Sequence, residues 1–162
     1  MTALTVWKFN TPEGAQNALN KLESLSKQAL LTIEDAAVVS WPPGKKKPKT
    51  RQLHSMGGAG ALGGAFWGLL FGLLFFMPLF GLAVGAGIGA LAGHFSDYGI
   101  DDDFIKQVQS KVTQGTSALF LLSSEVTVDK VSDAFKETQM ELVQSNLSAE
   151  QEAKLRQDFG EE

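Results

Sequence analysis

Residues 57–93 read GGAGALGGAFWGLLFGLLFFMPLFGLAVGAGIGALAG, a stretch of 37 residues that carries no charged side chain. The uncharged region extends from Gln52 to Ser96 and separates two polar parts of opposite charge. Residues 1–56 hold eight basic and four acidic side chains, whereas residues 97–162 hold six basic and fourteen acidic ones. This pattern predicts an apolar insertion in a chain whose two ends are polar.

The apolar stretch is long enough for two helices. One bilayer crossing needs about 20 apolar residues, and Pro78 divides the stretch into residues 57–77 and 79–95, which are 21 and 17 residues long. We predict a helical hairpin with its turn at Met77 and Pro78, because proline interrupts a helix. Two interpretations stay open. The hairpin enters the lipid bilayer, or several hairpins shield one another inside a closed soluble oligomer.

Glycines recur at every fourth position in both halves of the predicted hairpin. This spacing places them along one face of each helix, where the missing side chains let a second helix approach closely. We therefore predict a glycine zipper that packs helices together and makes the protein a homo-oligomer. The zipper residues are Gly60, Gly64, Gly68, Gly72, Gly81, Gly85, Gly89 and Gly93.

Five basic residues within seven positions precede the apolar stretch: Lys45, Lys46, Lys47, Lys49 and Arg51. Basic residues beside a membrane segment stay on the cytoplasmic side, and a hairpin returns the chain to that side. We expect a location at the cytoplasmic membrane with the polar domain in the cytoplasm, and a soluble cytoplasmic assembly is the alternative. The five residues are also predicted to contact anionic lipid headgroups, and a solvated turn without a ligand is the alternative.

The polar parts show strand and helix patterns in turn. Residues 118–122 read ALFLL, a continuous apolar run typical of a strand that is buried on both faces. Thr11 is a predicted N-cap with Pro12 at the first helical position, and Ser148 with Gln151 predicts a capping box. The predicted strands cover residues 4–9, 32–41, 49–55, 118–122 and 140–145, and the predicted helices cover residues 12–27, 101–112, 127–138 and 148–159.

This order predicts the α+β class. We expect a ferredoxin-like β-α-β-β-α-β sheet domain, with the apolar hairpin inserted after the third strand and an extra helix at the C-terminus. The first helix and the helix after the insertion would supply the two crossovers. Residues 1–55 would form the first half of the sheet domain, 56–96 the hairpin, and 97–162 the second half with the C-terminal helix.

Few residues point to chemistry. The chain has no cysteine and two histidines, His54 and His94, which lie at the two ends of the apolar stretch. Interfacial hydrogen bonding explains them better than a pH switch or metal site, and a helix N-terminus explains the acids at 101–103. Trp41 and Tyr98 flank the stretch where an aromatic belt would lie, with core packing of Trp41 as the alternative. We predict no enzyme, cofactor, metal or nucleic-acid partner.

Several segments resemble one bacterial family, the domain of unknown function 1269. These segments are the zipper, residues 97–106 (DYGIDDDFIK), residues 115–122 (GTSALFLL) and residues 146–152 (NLSAEQE). The resemblance covers about residues 30–160. It implies a small membrane-associated protein of bacteria with a glycine-zipper insertion, related to general stress proteins, and it carries over no catalytic residue.

The expected function is that of a non-enzymatic, homo-oligomeric membrane-associated or scaffold protein, with a stress-related role implied by the resemblance. Its expected partners are other copies of the chain and membrane lipids, and no small-molecule substrate is indicated. One alternative is a pore formed by a ring of hairpins, which the lack of charged lining residues disfavours. The other is a soluble closed oligomer that shields the hairpins and holds apolar or lipid guests.

Overall fold

The computed structural model describes residues 2–28, 30, 33, 35–53, 64–76, 98–136, 138 and 140–159. Most of the predicted hairpin, including its turn at Met77 and Pro78, lies outside these residues. The described elements are β1 (Thr2–Phe9), α1 (Gly14–Lys27), β2 (Asp35–Ser40), β3 (Lys49–Leu53), α2 (Gly64–Phe71), a π-helical turn (Gly72–Phe76), α3 (Asp102–Lys111), β4 (Ser117–Ser124), α4 (Glu125–Ala134), β5 (Met140–Leu147) and α5 (Ala149–Phe159).

The strands form one antiparallel sheet in the order β3-β2-β4-β1-β5. Strand β4 lies at its centre, where Phe120 is opposite Val6 of β1 and Ala37 of β2. Every β4 side chain from Ser117 to Ser123 is buried, because successive side chains point to opposite faces and both faces are covered. The prediction of a strand buried on both faces is therefore confirmed.

Two hydrophobic cores lie on the two faces of the sheet. Helices α1 and α4 cover one face, where Leu19 and Val131 pack with Trp7 and Leu121. Helices α2, α3 and α5 cover the other face. Their apolar side chains form one core with the even-numbered apolar side chains of β1 and β4. The result is a fold with three layers, and the α+β class predicted from the sequence is confirmed.

The prediction that α1 and α3 are the two crossover helices is wrong for α3. A ferredoxin-like plan places its two crossover helices on the same face of the sheet, and the sequence assigned these roles to α1 and α3. Helix α3 lies on the opposite face, since Phe104 and Val108 pack with Val6 and Phe120. The helix that shares the face of α1 is α4. An amphipathic pattern shows which side of a helix is apolar, but it does not show which face of a sheet receives it.

The N-terminus of α1 differs from its predicted cap. The helix begins at Gly14, and its N-cap residue Glu13 makes no side-chain capping bond. The buried hydroxyl of Ser117, from the central strand, takes this role. Its Oγ accepts a hydrogen bond from the Ala15 N–H at 2.8 Å and donates one to the Thr11 carbonyl at 2.6 Å. A residue 102 positions away in the chain thus anchors α1 to β4.

We expect Ser117→Ala to lower the free energy of unfolding by about 1 to 2 kcal/mol, because the Ala15 N–H loses its acceptor at a helix terminus. Urea unfolding followed by circular dichroism measures this change. Ser132→Ala on the exposed side of α4 is the matched control. Equal midpoints for the two variants would show that the Ser117 hydroxyl does not stabilise α1.

Two other helix starts are capped by side chains, and one of these caps was predicted. At α5, the Ser148 N–H donates to Gln151 Oε1 at 2.9 Å, and the Gln151 N–H donates to Ser148 Oγ at 3.1 Å. This reciprocal pair confirms the capping box. At α3, the Asp101 carboxylate accepts a hydrogen bond from the Phe104 N–H at 2.9 Å. The acidic run therefore begins with a capping residue, as its position before the helix indicated.

Candidate functional site

The described part of the apolar stretch packs on the sheet of its own chain. Helix α2 and the π-helical turn bury Trp67, Leu70, Phe71, Leu74 and Phe75 against the core that α3 and α5 share. No more than a few per cent of any of these side chains is exposed. These five side chains of the apolar stretch are therefore part of the hydrophobic core of the polar domain.

Aromatic rings hold α2 against the central strand. The Trp67 and Phe71 rings stack with centroids 5.8 Å apart. The edge of Phe120 on β4 meets both of them, with centroid distances of 6.3 Å to Trp67 and 5.1 Å to Phe71. Offset-stacked and edge-to-face pairs of this kind are favoured by the ring quadrupoles and bury large apolar areas.

A buried polar contact fixes the position of α2 along the sheet. Asp35 at the start of β2 is 3% exposed, and its Oδ2 accepts a hydrogen bond from Trp67 Nε1 at 3.1 Å. Its Oδ1 accepts one from the Ala36 N–H at 2.9 Å. A carboxylate taken out of water needs donors of this kind. Asp35 was not predicted from the sequence, although an acid beside an apolar strand and an indole N–H in an apolar stretch are both signals of a buried polar contact.

The predicted helix at residues 57–77 lies partly within the described residues. Residues 64–71 form α2, and residues 72–76 form the π-helical turn that follows it. Within the described parts of the chain, no helix is long and apolar enough to cross a membrane.

Three zipper glycines lie in the described residues, at positions 64, 68 and 72. Gly68 is exposed, and Gly72 is partly exposed. A Cβ atom added at Gly68 would meet no atom of a described neighbouring element within 4 Å. Among the described residues, the outer side of α2 at Gly68 is therefore open, although Trp67 and Leu70 beside it are buried. The zipper positions outside the described residues are Gly60, Gly81, Gly85, Gly89 and Gly93.

The basic residues of the predicted headgroup site lie partly on β3 and partly in the turn that precedes it. Lys49 and Arg51 of β3 lie opposite Ser40 and Val38 of β2, on the face covered by α1, and the Arg51 guanidinium donates to Gln16 Oε1 at 3.3 Å. Lys45, Lys46 and Lys47 are exposed in the turn before β3. Lys46 lines a groove on the other face, beside the π-helical turn.

The other residues singled out in the sequence offer little chemistry. Tyr98 is fully buried and belongs to the core that α5 shares with the sheet. Lys154 Nζ on α5 lies 5.9 Å from the centroid of its ring. Among the described residues, no three histidine or acidic side chains group to hold a metal. His54 and His94 lie outside the described residues. Lys111 Nζ, 3.1 Å from Glu141 Oε2, holds the pKa of the Glu141 carboxyl below its usual range.

These features define a three-layer α+β protein whose apolar insertion contains a helix docked on the protein's own sheet. The family model described as "Protein of unknown function (DUF1269)" matches residues 61–160, and the chain belongs to this family. The match begins at the apolar stretch, so β1, β2 and β3 precede it, and the predicted resemblance from about residue 30 is longer than the matched range. No significant match was found among curated proteins or among solved structures.

Proposed function

We propose that the protein is a non-enzymatic, homo-oligomeric scaffold of the cytoplasmic membrane surface that assembles through the outer side of α2. The observation that carries the proposal is the open position at Gly68, on a helix whose other side is buried in the core. A second copy of α2 can approach such a helix closely, because the glycine exposes backbone that a side chain would cover.

The membrane part of the proposal is supported by charge. Lys45, Lys46 and Lys47 are exposed in one turn, and each basic residue near an anionic surface is worth about 1 kcal/mol. In this arrangement the turn faces the headgroups, and the apolar residues outside the described parts supply further contacts with lipid or with other copies. A stress-related role, as the family resemblance implies, fits a protein that assembles at a membrane.

A closed soluble oligomer is the second candidate. It is favoured by the burial of Trp67, Phe71 and Phe75 in the core of their own chain, which shows that part of the apolar stretch can be shielded without lipid.

We also propose that β2, β4, β1 and β5, with α1 and α4, are a ferredoxin-like unit to which β3 adds an edge strand. The order of the strands in the sheet supports this relation.

The two candidates differ in where the protein is found after cell lysis. Membranes are collected before and after an alkaline carbonate wash, and both fractions are sized without detergent. Protein that sediments with membranes, washed or unwashed, supports the membrane scaffold. Protein that remains in solution as one large, uniform particle supports the closed oligomer. Protein found in solution at the mass of one chain contradicts both proposals.

The role of the zipper face is tested by Gly68→Leu. We expect the assembly to dissociate to smaller species in native mass spectrometry, because the leucine side chain separates helices that pack through this position. We expect the protomer to accommodate the change, since no atom of the described neighbouring elements lies within 4 Å of the added Cβ and leucine favours helix more than glycine does.

Ser132→Leu is the matched control for this variant, because it places the same side chain on an exposed helical position of the opposite face. The control is expected to keep the mass of the wild type. An unchanged mass for Gly68→Leu would exclude the outer side of α2 as the assembly surface.

A further inference from the structure

A groove of about 510 Å³ lies between the π-helical turn, the turn that precedes β3 and the C-terminal end of α3. Its apolar wall is formed by Trp41, Leu74, Phe75 and Val112. The Trp41 ring is partly exposed and meets Phe75 edge to face at 6.1 Å. This groove, called the Trp41 groove below, has the size of a small-molecule site, typically about 300–1,000 Å³.

The remaining lining residues of the Trp41 groove are polar. They are Lys46, Gln109, Thr113 and Gln114. Lys46 is exposed and has Lys45 and Lys47 as exposed neighbours, and no carboxylate lies among the described residues that line the groove. The site thus combines an apolar wall with positive charge at its rim, which complements a ligand with an apolar chain and a negative head.

The rim and the wall are held in place by hydrogen bonds. Trp41 Nε1 donates to the Lys45 carbonyl at 2.8 Å, so the indole side and the basic turn are fixed together. The Gln109 amide donates to the Leu74 carbonyl of the π-helical turn at 3.4 Å. A π-helical segment is uncommon and often occurs at functional sites.

We propose that the Trp41 groove binds a long-chain fatty acid, with the acyl chain against Trp41 and Phe75 and the carboxylate beside Lys46. The inference rests on the proposed function in that the membrane supplies the ligand, but binding needs only one protomer. Burial of each methylene contributes to affinity, and Lys46 adds the preference for a negative head.

Fluorescence quenching by 9,10-dibromostearate tests the proposal on the full-length protein. Bromine quenches tryptophan at short range, and Trp7 and Trp67 are buried whereas Trp41 lines the groove. We expect saturable quenching at one site per chain. The quenching should disappear in Trp41→Phe, which keeps an aromatic ring in the groove but removes the reporter.

Two variants test the two parts of the site. Thr113→Phe fills the groove from an exposed position and should weaken binding about tenfold, as expected if about two methylenes are displaced. Lys46→Gln should weaken binding about fivefold, because one basic contact with a negative head is lost. Ser132→Phe and Lys130→Gln make the same changes on α4, at exposed positions of the opposite face, and should bind as the wild type does.

Three results of the fatty-acid titrations would overturn the proposal. They are the lack of saturable quenching, quenching that persists in Trp41→Phe, and equal affinities for Thr113→Phe and Ser132→Phe. A shift of Trp41 emission with protein concentration in the absence of fatty acid would show that a second copy covers the groove, and it would overturn the proposal as well. The same titration with Gly68→Leu separates the two proposals, because a fatty-acid site on one protomer survives when assembly is lost.

Discussion

Replacement of Trp67 by alanine is expected to lower the free energy of unfolding by about 3 to 5 kcal/mol, the usual cost of removing a buried aromatic side chain. Trp67 is 1% exposed, stacks on Phe71 and meets the edge of Phe120 on the central strand. The residue lies in an apolar stretch that the sequence assigned to a membrane hairpin. A loss of this size in the absence of lipid therefore shows that α2 belongs to the folded core.

The measurement is guanidinium unfolding of the purified protein followed by far-ultraviolet circular dichroism, which does not depend on tryptophan emission. Trp67→Phe keeps a large ring but removes the donor to Asp35 Oδ2. We expect it to cost about 1 to 3 kcal/mol, because one hydrogen bond to a buried acidic side chain is lost. Trp41→Ala, at a partly exposed tryptophan, serves as the control and should cost less than Trp67→Ala.

The contact between α2 and the sheet is measured by a double-mutant cycle of Trp67→Ala with Phe120→Ala. Side chains in contact show coupling energies of about 0.5 to 3 kcal/mol, and the two rings are 6.3 Å apart. A Trp67→Ala variant that unfolds within about 1 kcal/mol of the wild type, with no coupling to Phe120, would place α2 away from the sheet in solution. That result would favour the interpretation of the apolar stretch as a hairpin in the membrane.

Local patterns were sufficient to predict most of the elements. The ALFLL run of β4 is apolar at odd and even positions, and only a strand covered on both faces accommodates that pattern. The capping box at Ser148 and Gln151 is a short-range motif whose two hydrogen bonds depend on residues three positions apart. Such features are determined by neighbours in the chain, so one sequence is enough to recognise them.

The location of α2 could not be predicted in the same way. Leucine, phenylalanine and tryptophan are stabilised by transfer from water into lipid and into a protein core alike, so composition and glycine spacing do not distinguish the two environments. The distinguishing contact joins Asp35 to Trp67, 32 positions apart. The cap of α1 by Ser117 depends likewise on a residue from a distant strand. Sequence patterns of single elements contain no information on such pairs.

Gly99→Ala is expected to cost about 2 to 3 kcal/mol, the second largest effect. Gly99 has a φ of +89° in the turn before α3, and this conformation costs a residue with a Cβ about 1 to 2 kcal/mol. The added Cβ would also lie 3.2 Å from the Asn146 carbonyl oxygen and 2.8 Å from Gln151 Oε1. Because Gln151 Oε1 accepts the Ser148 N–H, the substitution displaces the capping box of α5 and adds about 0.5 to 2 kcal/mol.

Variants of two other glycines separate the cost of backbone strain from the cost of the contact with Gln151. The free energy of unfolding of every variant is measured in urea. Gly44 has a φ of +82°, and an added Cβ would meet no described neighbour within 4 Å, so Gly44→Ala should cost only the backbone strain of about 1 to 2 kcal/mol. Gly68→Ala changes a helical position where a Cβ likewise meets no neighbour among the described residues, and it should stabilise the protomer by up to about 1 kcal/mol. Equal losses at Gly99 and Gly44 would mean that the contact with Gln151 is unimportant.

The link between Gly99 and the capping box is tested most directly by combining Gly99→Ala with Gln151→Ala. Gln151→Ala removes the side chain that the added Cβ meets, along with the acceptor for the Ser148 N–H. Once that side chain is gone, Gly99→Ala should cost less than it does in the wild type, since only backbone strain and the approach to the Asn146 carbonyl remain. Additive losses would contradict a shared contact, because residues that do not touch contribute independently. A loss in the double variant that is smaller than the sum of the two single losses would show that the turn before α3 packs against Gln151 in the first turn of α5.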